Sequence, residues 1–240
     1  MTNPPDPGSG HDAGHGSDSA RHDPAREVAR LEAEYSFDPG IYAYELADAL
    51  SGLAVALDVA GDKGGARTHF ARAVTVARNA YQHATPATGG VLAHEDLLTH
   101  LFNFIQFSLT DGDAVDAITG ADEALALLDA VATEATNEAS SEAASEEASE
   151  ASSEAADASR TTAGRALYLD FRGSALSMLG RNAESLEAHS EAALMLALSH
   201  DAYPQQVEFL ERQIANRMAK VIENEEPEPD PGPQPGADAS

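Results

Sequence analysis

Helix-stopping and helix-starting residues recur through this chain at helix-length intervals, and that punctuation leaves room for little besides a string of helices. Asp23-Pro24 reads as an N-cap followed by a first-turn proline, with Val28, Leu31 and Tyr35 falling on one face beyond it. Asp38-Pro39 repeats the signal and opens a helix over 39–60; Gly61 ends it and Asp62 caps the next, over 63–83. The turn-rich ATPATGG at 84–90 leads into a helix over 91–110. Asp111-Gly112-Asp113 makes a tight turn, and another helix runs to 131. Helices resume over 161–179, 182–199 and 204–224. No alternating β-branched run bounded by hairpin turns occurs, so the expected class is all-α with seven to eight helices. Ala and Leu supply most of the apolar residues and aromatics only 5%, which favours closely packed helices over a sheet.

Three segments stand outside this pattern. Residues 1–22 are rich in Gly, Ser, Pro, His and Asp, with too little apolar surface to offset the entropy of ordering, and are expected to form a disordered arm. Residues 132–160 are Ala, Ser and Glu without one large apolar side chain, and read as a solvated acidic insert with nascent helicity. Residues 225–240 form a Pro-rich acidic tail, expected to be extended and disordered. The domains are therefore hairpins over 23–131 and a hairpin with a capping helix over 161–224. The net charge of −27 divides accordingly. Residues 1–24, 132–160 and 223–240 carry −16 of it, leaving −11 on the remainder. Polyanions need clustered Lys and Arg, and Lys63 and Lys220 are the only lysines, so nucleic acid and anionic membrane are not expected partners.

The turns around three glycines share one register. Around Gly61 stand Leu50, Leu53, Ala54, Leu57, Ala66, Phe70, Ala73 and Val74. Around Gly112 stand Phe104, Ile105, Ser108, Ala117, Ala121, Ala124 and Leu125. Around Gly180 stand Leu169, Gly173, Leu176, Ser185, His189, Ala192 and Ala193. The first set, over 47–80, resembles a tetratricopeptide repeat in its alternation of small and large positions. The other two resemble it more distantly: Ile105 replaces a small residue, and Ala121 and His189 replace the large aromatic. The glycines lie 51 and 68 residues apart, so the 34-residue period is interrupted, and the copy that would fall between the last two lands in the acidic insert.

The resemblance implies stacked antiparallel hairpins, a tetratricopeptide-like α-solenoid that presents the first helix of each pair on a concave face. The family's groove positions then fall on Asp48, Ser51, Val55 and Asp58; on Thr99, Phe102, Asn103, Gln106 and Thr110; and on Leu167, Asp170, Ser174 and Ser177. Family members that grip a peptide carboxylate use Lys, Arg and Asn there, and only Asn103 matches that clamp. The implied ligand is a protein or peptide of neutral or basic character. The same residues also fit plain solvated helix faces.

Other signals point away from chemistry. His94-Glu95-Asp96-Leu97-Leu98-Thr99-His100 resembles a zinc-protease helix, yet six residues turn through about 600° and separate the two histidines. Asp111, Asp113 and Asp116 lack the third ligand and the glycine of a calcium loop and fit turn caps better. GDKGGAR at 61–67 lacks the ending of a phosphate-binding loop. His11, His15 and His22 would hold a metal only weakly from an unordered arm. With no Cys there is no thiolate site.

No enzyme activity, cofactor or metal site is therefore expected. The N-terminus lacks the pattern of a secretory signal and no run of about 18 apolar residues occurs, so a cytoplasmic location without membrane contact is expected. The leading expectation is a non-enzymatic adaptor. A helical-repeat sensor of a small molecule or peptide is the second reading. The third is a homo-oligomeric module joined through 204–224, where Val207, Leu210, Ile214, Met218 and Val221 form one stripe. That stripe fits equally a helix capping the end of the stack.

Overall fold

The structure, a computed structural model, describes residues 23–84, 90–142, 150–199 and 204–225, with side chains over 23–84, 93–133, 161–197 and 208–223. It contains eight helices and, among the described residues, no strand: α1 (Pro24–Phe37), α2 (Pro39–Val59), α3 (Lys63–His83), α4 (Gly90–Asp111), α5 (Ala114–Glu142), α6 (Glu150–Met178), α7 (Asn182–Ser199) and α8 (Pro204–Glu225). The arm at 1–22 and the tail at 226–240 lie outside the described residues.

Four helices, α1, α2, α3 and α5, begin at the aspartate that caps them. The Asp23 carboxylate accepts from the Ala25 and Arg26 N–H groups at 3.1 and 3.4 Å, and Asp38 accepts from Gly40 and Ile41 at 3.1 and 3.3 Å. Asp62 accepts from Gly65 at 2.9 Å and Asp113 from Asp116 at 3.0 Å. Each cap satisfies donors that the first helical turn leaves without an internal partner.

The three hairpins turn in one way. Gly61, Gly112 and Gly180 have φ of 86°, 89° and 71°, and are the only described glycines with positive φ. The following N–H groups of Asp62, Asp113 and Arg181 reach back to the carbonyls of Leu57, Ser108 and Leu176 at 2.9, 2.8 and 2.9 Å. This closure needs a left-handed residue at the turn, which glycine adopts without a Cβ penalty.

Every helix packs against the next along the chain. Beyond that, the helix pairs whose backbones come close are α2 with α4, α4 with α6 and α6 with α8, all even-numbered. Within each hairpin the helices cross where one side chain is small and its counterpart large. In the first, Ala54 and Phe70 pack together with Ala66 and Phe107. In the second the sizes reverse, with Ile105 beside Ala121 and against Gly120, where an added Cβ would lie 2.8 Å from Ile105 Cγ1. In the third, a Cβ on Gly173 would lie 2.8 Å from the His189 ring. The departures from the repeat pattern at these positions therefore compensate one another in volume, as close packing demands.

Two helices run beyond their expected bounds. α5 continues to Glu142 and α6 begins at Glu150, so helical backbone enters the acidic stretch from both sides. Ala and Glu are strong helix formers, and an existing helix extends more cheaply than a new one nucleates. Side chains at 134–160 and all of 143–149 lie outside the described residues. α2 is the one helix among the described residues long and apolar enough to cross a membrane; a third of its apolar window is buried. Leu46, Ala47, Leu50, Leu53 and Ala54 are buried in the protein core. The stripe on α8 also turns inward: Ile214 and Val221 are buried, and Leu210 and Met218 pack on the cluster of Ala166, Leu169, Ala192 and Leu196.

Gly173→Ala should lower stability by about 1–3 kcal/mol, the cost of overpacking, because the His189 ring is fully buried and has little room to withdraw. Denaturant unfolding measures this, and a variant as stable as the parent contradicts the tight crossing of α6 and α7.

Candidate functional site

The expected groove residues fall on the three even-numbered helices α2, α4 and α6, and the structure divides them. Asp48, Val55, Thr99, Gln106 and Thr110 are exposed, while Asp58, Phe102, Asn103, Leu167, Ser174 and Ser177 are half-buried. Ser51 and Asp170 are buried, so a docked ligand cannot reach them, and they are removed from the expected open set. Thr99, Thr110 and Ser174 each donate to the carbonyl four residues earlier, on Glu95, Gln106 and Asp170, at 2.8–2.9 Å. Asp58 is paired with Lys63. Phe102 stacks on Phe171 at 5.6 Å between centroids, which spends much of its ring on the core.

A polar clasp closes each contact between even helices. Between α2 and α4, the Ser51 hydroxyl and His100 Nδ1 lie 2.9 Å apart in a buried hydrogen bond. His100 is 1% exposed, and its Nε2 faces Asp96 at 3.3 Å and Asp48 at 3.7 Å. Neither contact has hydrogen-bond geometry, so Nε2 and Asp96 Oδ2 are buried without a hydrogen-bond partner among the described residues. Tyr44 stands close enough that burial, and secondarily the Asp96 charge, holds its hydroxyl above its ordinary range.

Between α4 and α6 the Tyr168 hydroxyl donates to the Leu98 carbonyl at 2.9 Å. Burial raises this phenol well above the usual range, so it remains a neutral donor.

Between α6 and α8, Arg217 donates to Asp170, a side chain 2% exposed, which also faces His189 Nδ1 on α7 at 3.2 Å. The carboxylate thus ties α6 to α8, while its Oδ1 and both His189 ring nitrogens are buried without a hydrogen-bond partner among the described residues. Ser185 adds a buried hydrogen bond from α7 to the Gly173 carbonyl at 2.7 Å.

Arginines add ties at the rim, two of them between odd-numbered helices and the others between odd and even ones. Arg78 on α3 makes a two-pronged contact with Glu123 on α5 at 2.6 and 2.7 Å. Arg67 gathers Asp111 and Asp113 with Asp116 close by, Arg72 reaches Glu32 on α1, Arg172 reaches Asp122 at 2.8 Å and Arg165 reaches Asp129. Of the Asp residues that imitate a calcium loop, Asp113 therefore caps α5, and all three anchor Arg67. A hydrogen bond from the Asp116 N–H, and then Arg67, hold the Asp113 carboxyl below the usual range.

Sequence reasoning missed the convergence on His100. It compared His100 with His94, whereas the structure pairs it with Asp96 one turn earlier and with Asp48 on another helix. The Asp96–His100 spacing of four was a readable signal; the arrival of Asp48 depends on the packing of α2 against α4. No known protein-family model matches the chain, and no curated protein is significantly similar to it.

Two outcomes follow. Arg217→Met should cost about 3 kcal/mol, the lower end for breaking a buried pair since Arg217 is itself 37% exposed, because Asp170 would lose its cation. Denaturant midpoints test this, and a neutral effect would mean that Asp170 is compensated elsewhere. Asp113→Asn keeps a capping side chain but removes a charge. A carboxyl with a depressed folded pKa stabilises fully above its unfolded value of about 3.9 and loses that contribution as pH falls through the folded value. Thermal unfolding should therefore favour the parent at neutral pH, with the gap closing in acid; a gap constant with pH contradicts the assignment.

Proposed function

We propose that the chain is a non-enzymatic adaptor, a tetratricopeptide-like stack of hairpins that holds a neutral or basic protein segment along the face made by α2, α4 and α6. The supporting observation is the pattern of backbone approach: the even-numbered helices come close to one another in series, whereas the odd-numbered ones meet only through long side chains such as Arg72 and Arg78. Such a stack curves toward the even helices, so their outward side chains form its inner surface. Asp48, Val55, Thr99, Asn103, Gln106 and Thr110 lie on that surface, short and mostly polar, leaving room for an extended segment.

Charge supports the choice of ligand. Arg67, Arg72, Arg78, Arg165, Arg172 and Arg217 are each engaged between helices. These six are paired with acids inside the fold, and the net surplus of acids sets the outer field. Such a field speeds the approach of a basic segment and slows that of an acidic one. It also argues against nucleic acid and anionic lipid as partners.

An arrayed peptide library graded from acidic to basic tests the proposal on the full chain. Retained peptides should be neutral to basic and should weaken with salt. Val55→Arg with Gln106→Arg, both at exposed positions, should cut binding about tenfold or more, since a like-charge contact costs on the order of 1 kcal/mol or more. Thr119→Arg on α5 should leave binding unchanged. Acidic peptides retained preferentially, or binding abolished by Thr119→Arg alone, would overturn it.

A further inference from the structure

We infer that Asp48, Asp96 and His100 form a site for one divalent first-row transition ion of the zinc class. One ligand atom from each of the three lies within 4.8 Å of the other two. Two carboxylates and a ring nitrogen directed at one another make a donor set that a cation would satisfy. The His100 side chain is almost wholly buried, and its Nε2 has no hydrogen bond among the described residues, yet it points at both carboxylates.

The geometry suits an ion. In a tetrahedral site with bonds of roughly 2.0–2.1 Å, neighbouring ligand atoms stand about 3.3 Å apart. The separation of His100 Nε2 from Asp96 Oδ1 is 3.3 Å. Asp48 Oδ1 lies slightly farther, at 3.7 Å, on a side chain 77% exposed and free to swing inward.

The supporting contact is also in place. A metal-binding histidine commonly donates its other ring N–H to a neighbour that fixes its orientation. Ser51 Oγ sits 2.9 Å from His100 Nδ1, positioned to accept that N–H and leave the Nε2 lone pair for the ion. One imidazole nitrogen with two carboxylates favours zinc-class ions over magnesium or calcium, which prefer all-oxygen sets. The exposed Asp48 edge leaves the remaining coordination positions open to water.

The ion would bridge α2 and α4, so binding should raise stability as well as register as metal uptake. The test uses the full chain, stripped with chelator, with Zn2+ as the probe in equilibrium dialysis and Co2+ as a spectroscopic reporter. His11, His15 and His22 are replaced by Gln in the reference protein so that the arm contributes nothing. The expected result is one Zn2+ per chain, a rise in unfolding temperature and the visible absorption of a tetrahedral Co2+ centre. Asp48→Asn, at an exposed position that does not threaten folding, and Asp96→Asn should each weaken binding by more than the roughly 10–100-fold that losing a supporting partner costs. Ser51→Ala should fall within that range. Circular dichroism of the metal-free variants checks that each is folded. Uptake that disappears with the arm histidines, or that persists unchanged in a folded Asp48→Asn protein, overturns the proposal and leaves the three groups as a structural cluster only.

Discussion

Volume matching at the crossing inside each hairpin is the constraint on which the structure depends. Helices approach closely only where the sum of facing side chains is small enough, and this chain meets that limit three times with different residues. Ala54 faces Phe70, Ile105 meets Ala121 and Gly120, and Gly173 admits the His189 ring. A larger residue on one helix is balanced by a smaller one on its partner. Each hairpin then packs on the next along the chain.

Polar groups then fix how the hairpins meet. Apolar packing is tolerant of small rotations, whereas a buried hydrogen bond or ion pair is satisfied in one arrangement. Each contact between even helices carries such a group: His100 with Ser51, Tyr168 with the Leu98 carbonyl, and Asp170 with Arg217. The rim arginines add individually weak ion pairs, of which the two-pronged Arg78–Glu123 contact is the most directional. The division of labour is spatial. Six arginines are engaged between helices, and the chain as a whole keeps a surplus of acids.

The elements were legible because their signals are local. Asp-Pro starts, glycine stops and the apolar spacing between them depend on neighbours within one or two turns, and helices begin within a residue or two of those marks. The ends of α5 and the start of α6 were read short, because the acidic stretch offers no apolar residue for a core even though Ala and Glu sustain a helix without one. Side-chain destinations were less legible. Ser51 and Asp170 occupy positions that the resemblance assigns to an open face, yet each is buried against a helix far away in sequence. Their partners, His100, His189 and Arg217, become evident only once helix order and rotation are set. His189 stood out as a departure from the repeat, but nothing along the chain named the glycine whose missing side chain makes room for it.

The serial contact of even-numbered helices can be measured without reference to any ligand. The chain has no cysteine, so spin labels can be placed at will. Val55 and Gln106 sit at one register in the first helices of two successive hairpins, and Thr75 and Ala126 sit at one register in the second helices; all four are exposed. Pulsed spin-resonance distances should be shorter for the Val55–Gln106 pair than for the Thr75–Ala126 pair. Equal distances, or the opposite order, would contradict a stack that closes on its even helices.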